Sequence, residues 1–237
     1  MDQADAGPPF KYHGRGHSHL ERMPIPLSSR VAFLGFMGIA VVGLAISGID
    51  PRDRMSWWLE VLPVVIALPL LGWTHERFPL TWLAYALVAA YTVVLVVGGY
   101  YTYARVPLGL WAQDVFHLSR NNYDRLEHFV EGFVPAIVLR EILLRRTPLV
   151  PGPWLALLVV AACMAASVCY ELINWCLALM AGAHADLGAQ GDTWNGHWHM
   201  LYVTLGAVCA LLLLSRVHDR ALRSLHNRAL RPLQPSV

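Results

Sequence analysis

The sequence predicts an all-α, polytopic membrane protein: a bundle of about six transmembrane helices with both termini cytoplasmic. Three observations predict it. Of 237 residues, 56% are hydrophobic and only 14% charged, with a mean hydropathy of +0.45, too apolar for a soluble domain of this length. Six stretches approach the roughly 20 apolar residues that a span requires: 30–49, 57–73, 80–101, 128–144, 154–180 and 194–214. With the N-terminus inside, thirteen of the 18 Lys and Arg fall on inner segments and five on outer ones, the asymmetry expected of cytoplasmic loops.

Residues 1–29 carry Pro8, Pro9, Gly14, Gly16, Pro24 and Pro26 among scattered charges, which predicts a flexible cytoplasmic tail and not a signal peptide. His13, His17 and His19 fall in it and read as part of a polar tail ahead of a weak metal patch. Span one, an uncleaved anchor, has Gly35, Gly38 and Gly43 as small surfaces for close helix contact. Pro63 and Pro69 are expected to kink span two. The short turn at 74–78 makes spans two and three an antiparallel hairpin. The outer loop 102–122, with Pro107, Gly109, Trp111, Asp114 and His117, is long enough to fold back over the helix ends. Residues 145–151 are expected inside. Residues 181–193, with no Lys or Arg, are expected outside. A single transmembrane domain thus covers 30–215, followed by a basic cytoplasmic tail over 216–237. Most Trp residues lie near span ends, where amphipathic rings anchor at the headgroups. The four Cys read as small apolar packing residues, and Cys169 and Cys176, two helical turns apart, are too distant to bridge. The mildly basic balance follows from the loop asymmetry, so the lipid bilayer is the expected partner and nucleic acid is not.

Span four opens on Asp124, Arg125, Glu127, His128 and Glu131. Ionisable groups are costly in a bilayer, so such a cluster is a site hypothesis by default. Asp124, His128, Glu131 and Pro135 share one helical face, as do Ser167, Glu171 and Asn174 in span five, and Asp192, Asn195, His199 and Tyr202 around the start of span six. All three faces reach the outer end of the bundle. Pro135 cannot donate to the Glu131 carbonyl and is expected to open the helix there. Carboxylates and imidazoles from three helices are a ligand set for zinc, iron or copper; His128, Glu131, Glu171, Asp192 and His199 are the candidate ligands, with Glu131 or Glu171 as general base to a metal-bound water. Two other readings stand beside this: a structural network in which Arg125 neutralises Asp124 or Glu131, and a transport pathway, although no internal repeat supports the latter. Near the inner end, Arg140 is expected to snorkel and Glu141 to pair with Arg145.

Tyr123-Asp124-Arg125, His128-Phe129, Gly132-Phe133, Arg140-Glu141-Ile142-Leu143, Tyr170-Glu171-Leu172-Ile173 with Trp175, and Gln190-Gly191-Asp192 with Trp194 and Met200 together resemble the YjdF family of bacterial inner-membrane proteins. The resemblance implies a multi-span inner-membrane protein with no assigned reaction. It also implies acidic residues where this chain has Asn174, Asn195 and His199, so the pocket is more neutral and richer in nitrogen donors, favouring transition metals over magnesium or calcium. Alternatively, the acidic chemistry has been lost and the chain serves as a scaffold or accessory subunit of a membrane complex. The functional expectation is a polar, outward-facing pocket for a metal ion or polar small molecule, with metal-assisted hydrolysis of an envelope or lipid substrate as its catalytic version.

Overall fold

The structure, a computed structural model, describes residues 25, 27–181 and 192–230. The His13–His19 tail patch and the Gln190-Gly191 turn lie outside these residues, as does the side chain of Asn174. Among the described residues there are seven α-helices, one 3₁₀ turn and no strand: α1 (Leu27–Ser47), α2 (Arg54–Thr74), α3 (Trp82–Tyr101), the turn Tyr103–Arg105, α4 (Pro107–Phe116), α5 (Tyr123–Arg146), α6 (Pro153–Ala181) and α7 (Asn195–Leu230).

The helix limits follow local chemistry. Asp53 caps α2 by accepting from the Ser56 backbone N–H at 2.6 Å, and that bond holds its carboxyl below the ordinary value. Thr81 caps α3 through the Ala84 N–H. Pro107 sits in the first turn of α4, where its missing N–H is harmless. His117 ends α4 in the left-handed region at φ 50°. Pro63, Pro69 and Pro135 are accommodated inside continuous helices.

Side-chain contacts fix the topology. Ser47 meets Trp57, with the indole donating to the hydroxyl at 3.0 Å, so α1 and α2 form a hairpin. His75 lies 2.7 Å from the Tyr85 hydroxyl, while at the far end of the pair a Cβ on Gly99 would touch Trp57 and Glu60; α2 and α3 are therefore antiparallel. Tyr91 meets Glu127 and Thr81 meets Glu141, so α5 runs against α3. His199 meets Glu131 and His218 meets Arg140, so α7 runs parallel to α5. The starts of α1 and the end of α7 thus lie at one end of the bundle.

Among the described residues five helices are long and apolar enough to cross a membrane: α1, α2, α3, the 153–173 part of α6, and α7. The expected fourth span, α5, carries eight Asp, Glu and Arg residues in its 24. At about 1.5 Å per residue it is still some 36 Å long. Its burden is turned inward: Asp124, Glu127, His128, Arg140 and Glu141 are all buried, among Gly132, Ala136, Ile137 and Leu144. Lipid offers little driving force for apolar helix association, so close packing and polar contacts must hold such a helix. Both are present. A Cβ on Gly132 would lie 1.9 Å from the Val203 carbonyl oxygen, and one on Gly206 would lie 2.0 Å from that of Phe129. Only glycine at these two positions lets the α5 and α7 backbones touch. By contrast Gly35 and Gly38, expected at helix contacts, face open space, and Gly43 makes ordinary contact with Val96.

A polar knot closes the end of α5 remote from Asp124. Glu141, fully buried, accepts from the Thr81 N–H at 3.0 Å and hydroxyl at 2.8 Å, and from Arg145 at 2.8 Å. His218, also fully buried, lies 3.2 Å from Glu141. Arg140 reaches His218 at 2.8 Å and Asp219 at 2.7 Å. The Glu141–Arg145 pair is as expected, but Arg140 does not snorkel: it is 3% exposed, because α7 continues past the apolar stretch and supplies Asp219 as its partner. Exposure corrects the reading of the four Cys as packing residues and adds one exception to that of the Trp residues. Cys169 and Cys176 lie on the outer flank of α6, with Cys163 alone fully packed, and Trp57 is buried in the bundle while most other Trp residues are exposed near helix ends.

Candidate functional site

The opposite end of the bundle gathers the starts of α2, α5 and α7 with the ends of α3 and α6. His199, fully buried, sits at the centre. Its Nδ1 lies 2.5 Å from Glu171 Oε1 on α6, and its Nε2 lies 2.6 Å from Glu131 Oε2 on α5. His128, one turn before Glu131, has its ring centroid 4.1 Å from that of His199. One ligand atom each from His128, Glu131 and His199 falls within 4.8 Å of the others. The Gly132 and Gly206 contacts create this proximity, since they lie one and two turns below the imidazoles and let the two backbones meet.

His128 is buried, with 8% exposure. Its Nδ1 is 2.8 Å from Glu127 Oε2 and 3.8 Å from Glu131 Oε2, yet neither ring nitrogen has a hydrogen bond of adequate direction. A buried imidazole with no properly directed partner is costly and calls for an explanation at the site itself.

Around these residues lies a cavity of about 80 Å³, with Glu60, Tyr91, Tyr103, Glu127, Tyr170 and Asn195 in its wall. The Tyr91 hydroxyl donates to Glu127 at 2.8 Å, and Tyr103 bonds Glu60. Tyr103 fits because Gly98 leaves room for its ring: a Cβ there would lie 2.1 Å from it. Thr102, which turns the chain into this position, has φ 61°, an unfavourable conformation for a β-branched residue and of the kind found near functional sites. Five carboxylates (Glu60, Asp124, Glu127, Glu131 and Glu171) thus share one cavity with the His128 imidazole, and His199 lies behind its wall, held by Glu131 and Glu171.

The sequence-based candidates divide. His128, Glu131, Glu171 and His199 converge. Asp192 does not join them: it lies 3.5 Å from Arg125 and 3.8 Å from Arg120, and it accepts from the Trp194 N–H at 2.9 Å. The reason is that α7 starts at Asn195, so Asp192 belongs to the preceding turn and not to the helical face assumed for it. Asp124 pairs with Arg120, so Arg125 neutralises neither Asp124 nor Glu131. Its guanidinium instead lies over the Trp198 ring at 4.9 Å. Pro135 lines an apolar groove below the site and not the polar cavity. Glu127 belongs to the ionisable cluster that marks the site in the sequence, whereas Glu60, Tyr91, Tyr103 and Tyr170 are cavity residues that the sequence does not single out. A lone Glu in an otherwise apolar span was the available signal for Glu60.

Residues 32–220 match the family model described as "Predicted membrane protein (DUF2238)". The chain is 45% identical over 182 residues to the inner membrane protein YjdF of Escherichia coli (strain K12), covering 76% of this chain and 87% of that relative. No solved structure matches significantly. With a family match over most of its length and several helices able to cross a bilayer, the chain is a multi-pass inner-membrane protein belonging to the YjdF (DUF2238) family.

Proposed function

We propose that the protein holds a divalent transition metal, zinc, iron or copper, in the polar cavity at the outer face of the inner membrane. The observation that carries this reading is the convergence of His128, Glu131 and His199 within 4.8 Å, with Glu127 beside the first imidazole and Glu171 beside the second. Two imidazoles and one carboxylate are the ligand set of open zinc and non-haem iron sites. A carboxylate on the far nitrogen of a ligating imidazole fixes its tautomer and raises its basicity. Glu171 is thus an orienting group more than a ligand, and Glu60 and Glu127 are the carboxylates left to handle protons. The unoccupied coordination positions would face the cavity, the arrangement needed for metal-assisted hydrolysis of an envelope or lipid substrate. Metal content of the detergent-purified protein tests this: about one equivalent is expected in the wild type and none in His199→Ala. A metal-free wild type that loses stability on the same change would instead favour a non-catalytic subunit.

The outer placement rests on six spans, α1, α2, α3, α5, α6 and α7, with both termini cytoplasmic. The inward-turned charges of α5 and the distribution of Lys and Arg support it. Reporter fusions after Val150 and after Asp186 should lie on opposite sides of the membrane; both on one side would remove a span and the outer placement with it.

A further inference from the structure

Directly below the polar cavity lies a second, larger one of about 390 Å³. Its floor is α3 and α5, and its flanks are α2 and α6. Leu70, Ile142, Ala162 and Ala166 line it and are exposed on its open side, so it opens laterally. Its wall is aliphatic apart from the weakly polar Cys163 thiol and from Tyr91 and Thr92, whose hydroxyls are spent on Glu127 and on the Val88 carbonyl. The groove therefore offers a ligand no strong hydrogen bond. At membrane depth its occupant has to be hydrocarbon.

Two features distinguish it from ordinary lipid-facing surface. It is continuous with the polar centre, since Pro63, Tyr91 and Leu95 line both cavities. It also has the length of one chain: from Val134 to Ile142 along α5 is about 12 Å at 1.5 Å per residue, against about 15 Å for half of a 30 Å hydrocarbon core. The volume falls in the range of small-molecule sites, roughly 300–1,000 Å³. We propose that the groove seats one acyl chain of a lipid drawn in from the outer leaflet, its headgroup in the polar cavity and its chain running along α5 toward the inner half of the bilayer, so that an amphiphilic lipid is the substrate class of the site. The headgroup placement rests on the proposed metal centre, whereas the seating of the chain does not.

The test uses full-length protein in phosphatidylcholine nanodiscs doped with a phosphatidylethanolamine carrying a diazirine near the end of one acyl chain. After illumination, labelled residues are mapped by mass spectrometry and metal content is measured on the same sample. Label on the groove faces of α5 and α6 is expected at least tenfold above that on the lipid-facing flank of α1 (Val31, Leu34 and Ile46). The double change Ala162→Phe and Ala166→Phe should cut groove label about tenfold while leaving α1 label and metal content unchanged; Ala162→Leu with Ala166→Leu replaces it if the rings impair folding. Groove label at the α1 level in the wild type, or undiminished in both filled variants, overturns the proposal. Groove label retained in a wild type that holds no metal supports chain seating and overturns the metal reading alone.

Discussion

The two ends of α5 bury similar numbers of ionisable groups and use them differently. At the Glu141 end two acids, Glu141 and Asp219, face two arginines, Arg145 and Arg140, and His218 bridges them. Glu141 accepts from three separate residues. At the Glu131 end Asp124 is paired with Arg120, and four further carboxylates, Glu60, Glu127, Glu131 and Glu171, meet two imidazoles, of which His128 is held by proximity to Glu127 without a well-directed bond. A buried network that is balanced and fully bonded needs nothing further, and its role is to lock α3, α5 and α7 together. A network with surplus acid is balanced by what it takes up, protons on its imidazoles and carboxylates or, on the reading proposed above, a bound cation.

The sharpest way to break this comparison is to remove one carboxylate from each end. Glu141→Gln should cost up to roughly 3 kcal/mol, because it removes the counter-charge of the partly buried Arg145 and weakens the bonds from Thr81 and His218. Glu131→Gln should abolish bound metal while leaving the thermal midpoint near that of wild type when both are measured in chelator, so that neither holds metal. Equal losses of stability in the two variants would erase the distinction. Gly206→Ala comes next. Its Cβ would meet the Phe129 carbonyl oxygen, so the α5 and α7 backbones must part. A loss of about 1–3 kcal/mol is expected, together with weaker metal binding, measured by unfolding and by metal titration; an undisturbed metal affinity would mean that the close approach is not what builds the site. Glu171→Gln should weaken metal affinity about 10–100-fold, as removal of an orienting carboxylate does, without abolishing binding. Complete loss would make Glu171 a direct ligand.

The smallest effect lies outside the spans. His75 stacks on Phe33 with ring centroids 3.8 Å apart, and desolvation, aided by Arg30, holds its pKa below the ordinary value. Stability from the neutral ring is complete above the unfolded imidazole value of about 6.5 and declines as pH falls through it, because the unfolded state then binds the extra proton. Thermal midpoints at pH 7.5 and 5.5 should therefore converge in His75→Phe relative to wild type. An unchanged gap would place the pH sensitivity in other groups.

Much of this could be read from the chain. Helical spacing alone placed Glu131, Glu171 and His199 on faces that meet, because helix periodicity and the cost of exposing charge to lipid are local rules. What it missed depended on contacts between distant elements. Glu60 reaches the cavity only because α2 packs on α3, and Tyr103 only because the turn after α3 folds against α5; Arg140 is buried only because α7 extends far enough to bring Asp219 to it. Asp192 failed for a different reason: the face assignment assumed helix where the chain still turns. Gly132 and Gly206 carried no distinctive signal, since glycine is common in membrane helices.

The meeting of α5 and α7 through bare backbone also bears on motion. Side chains can change rotamer and let packed helices slide, but two main chains in contact have nothing between them to rearrange. The pair should move as one body. α2, by comparison, rests mainly on α3 and lightly on α1, and it forms one flank of the apolar groove. Any displacement that admits or releases a ligand is therefore expected of α2 against a fixed α5–α7 frame, and spin-label distances from α2 to α7 should broaden where those within the pair stay narrow.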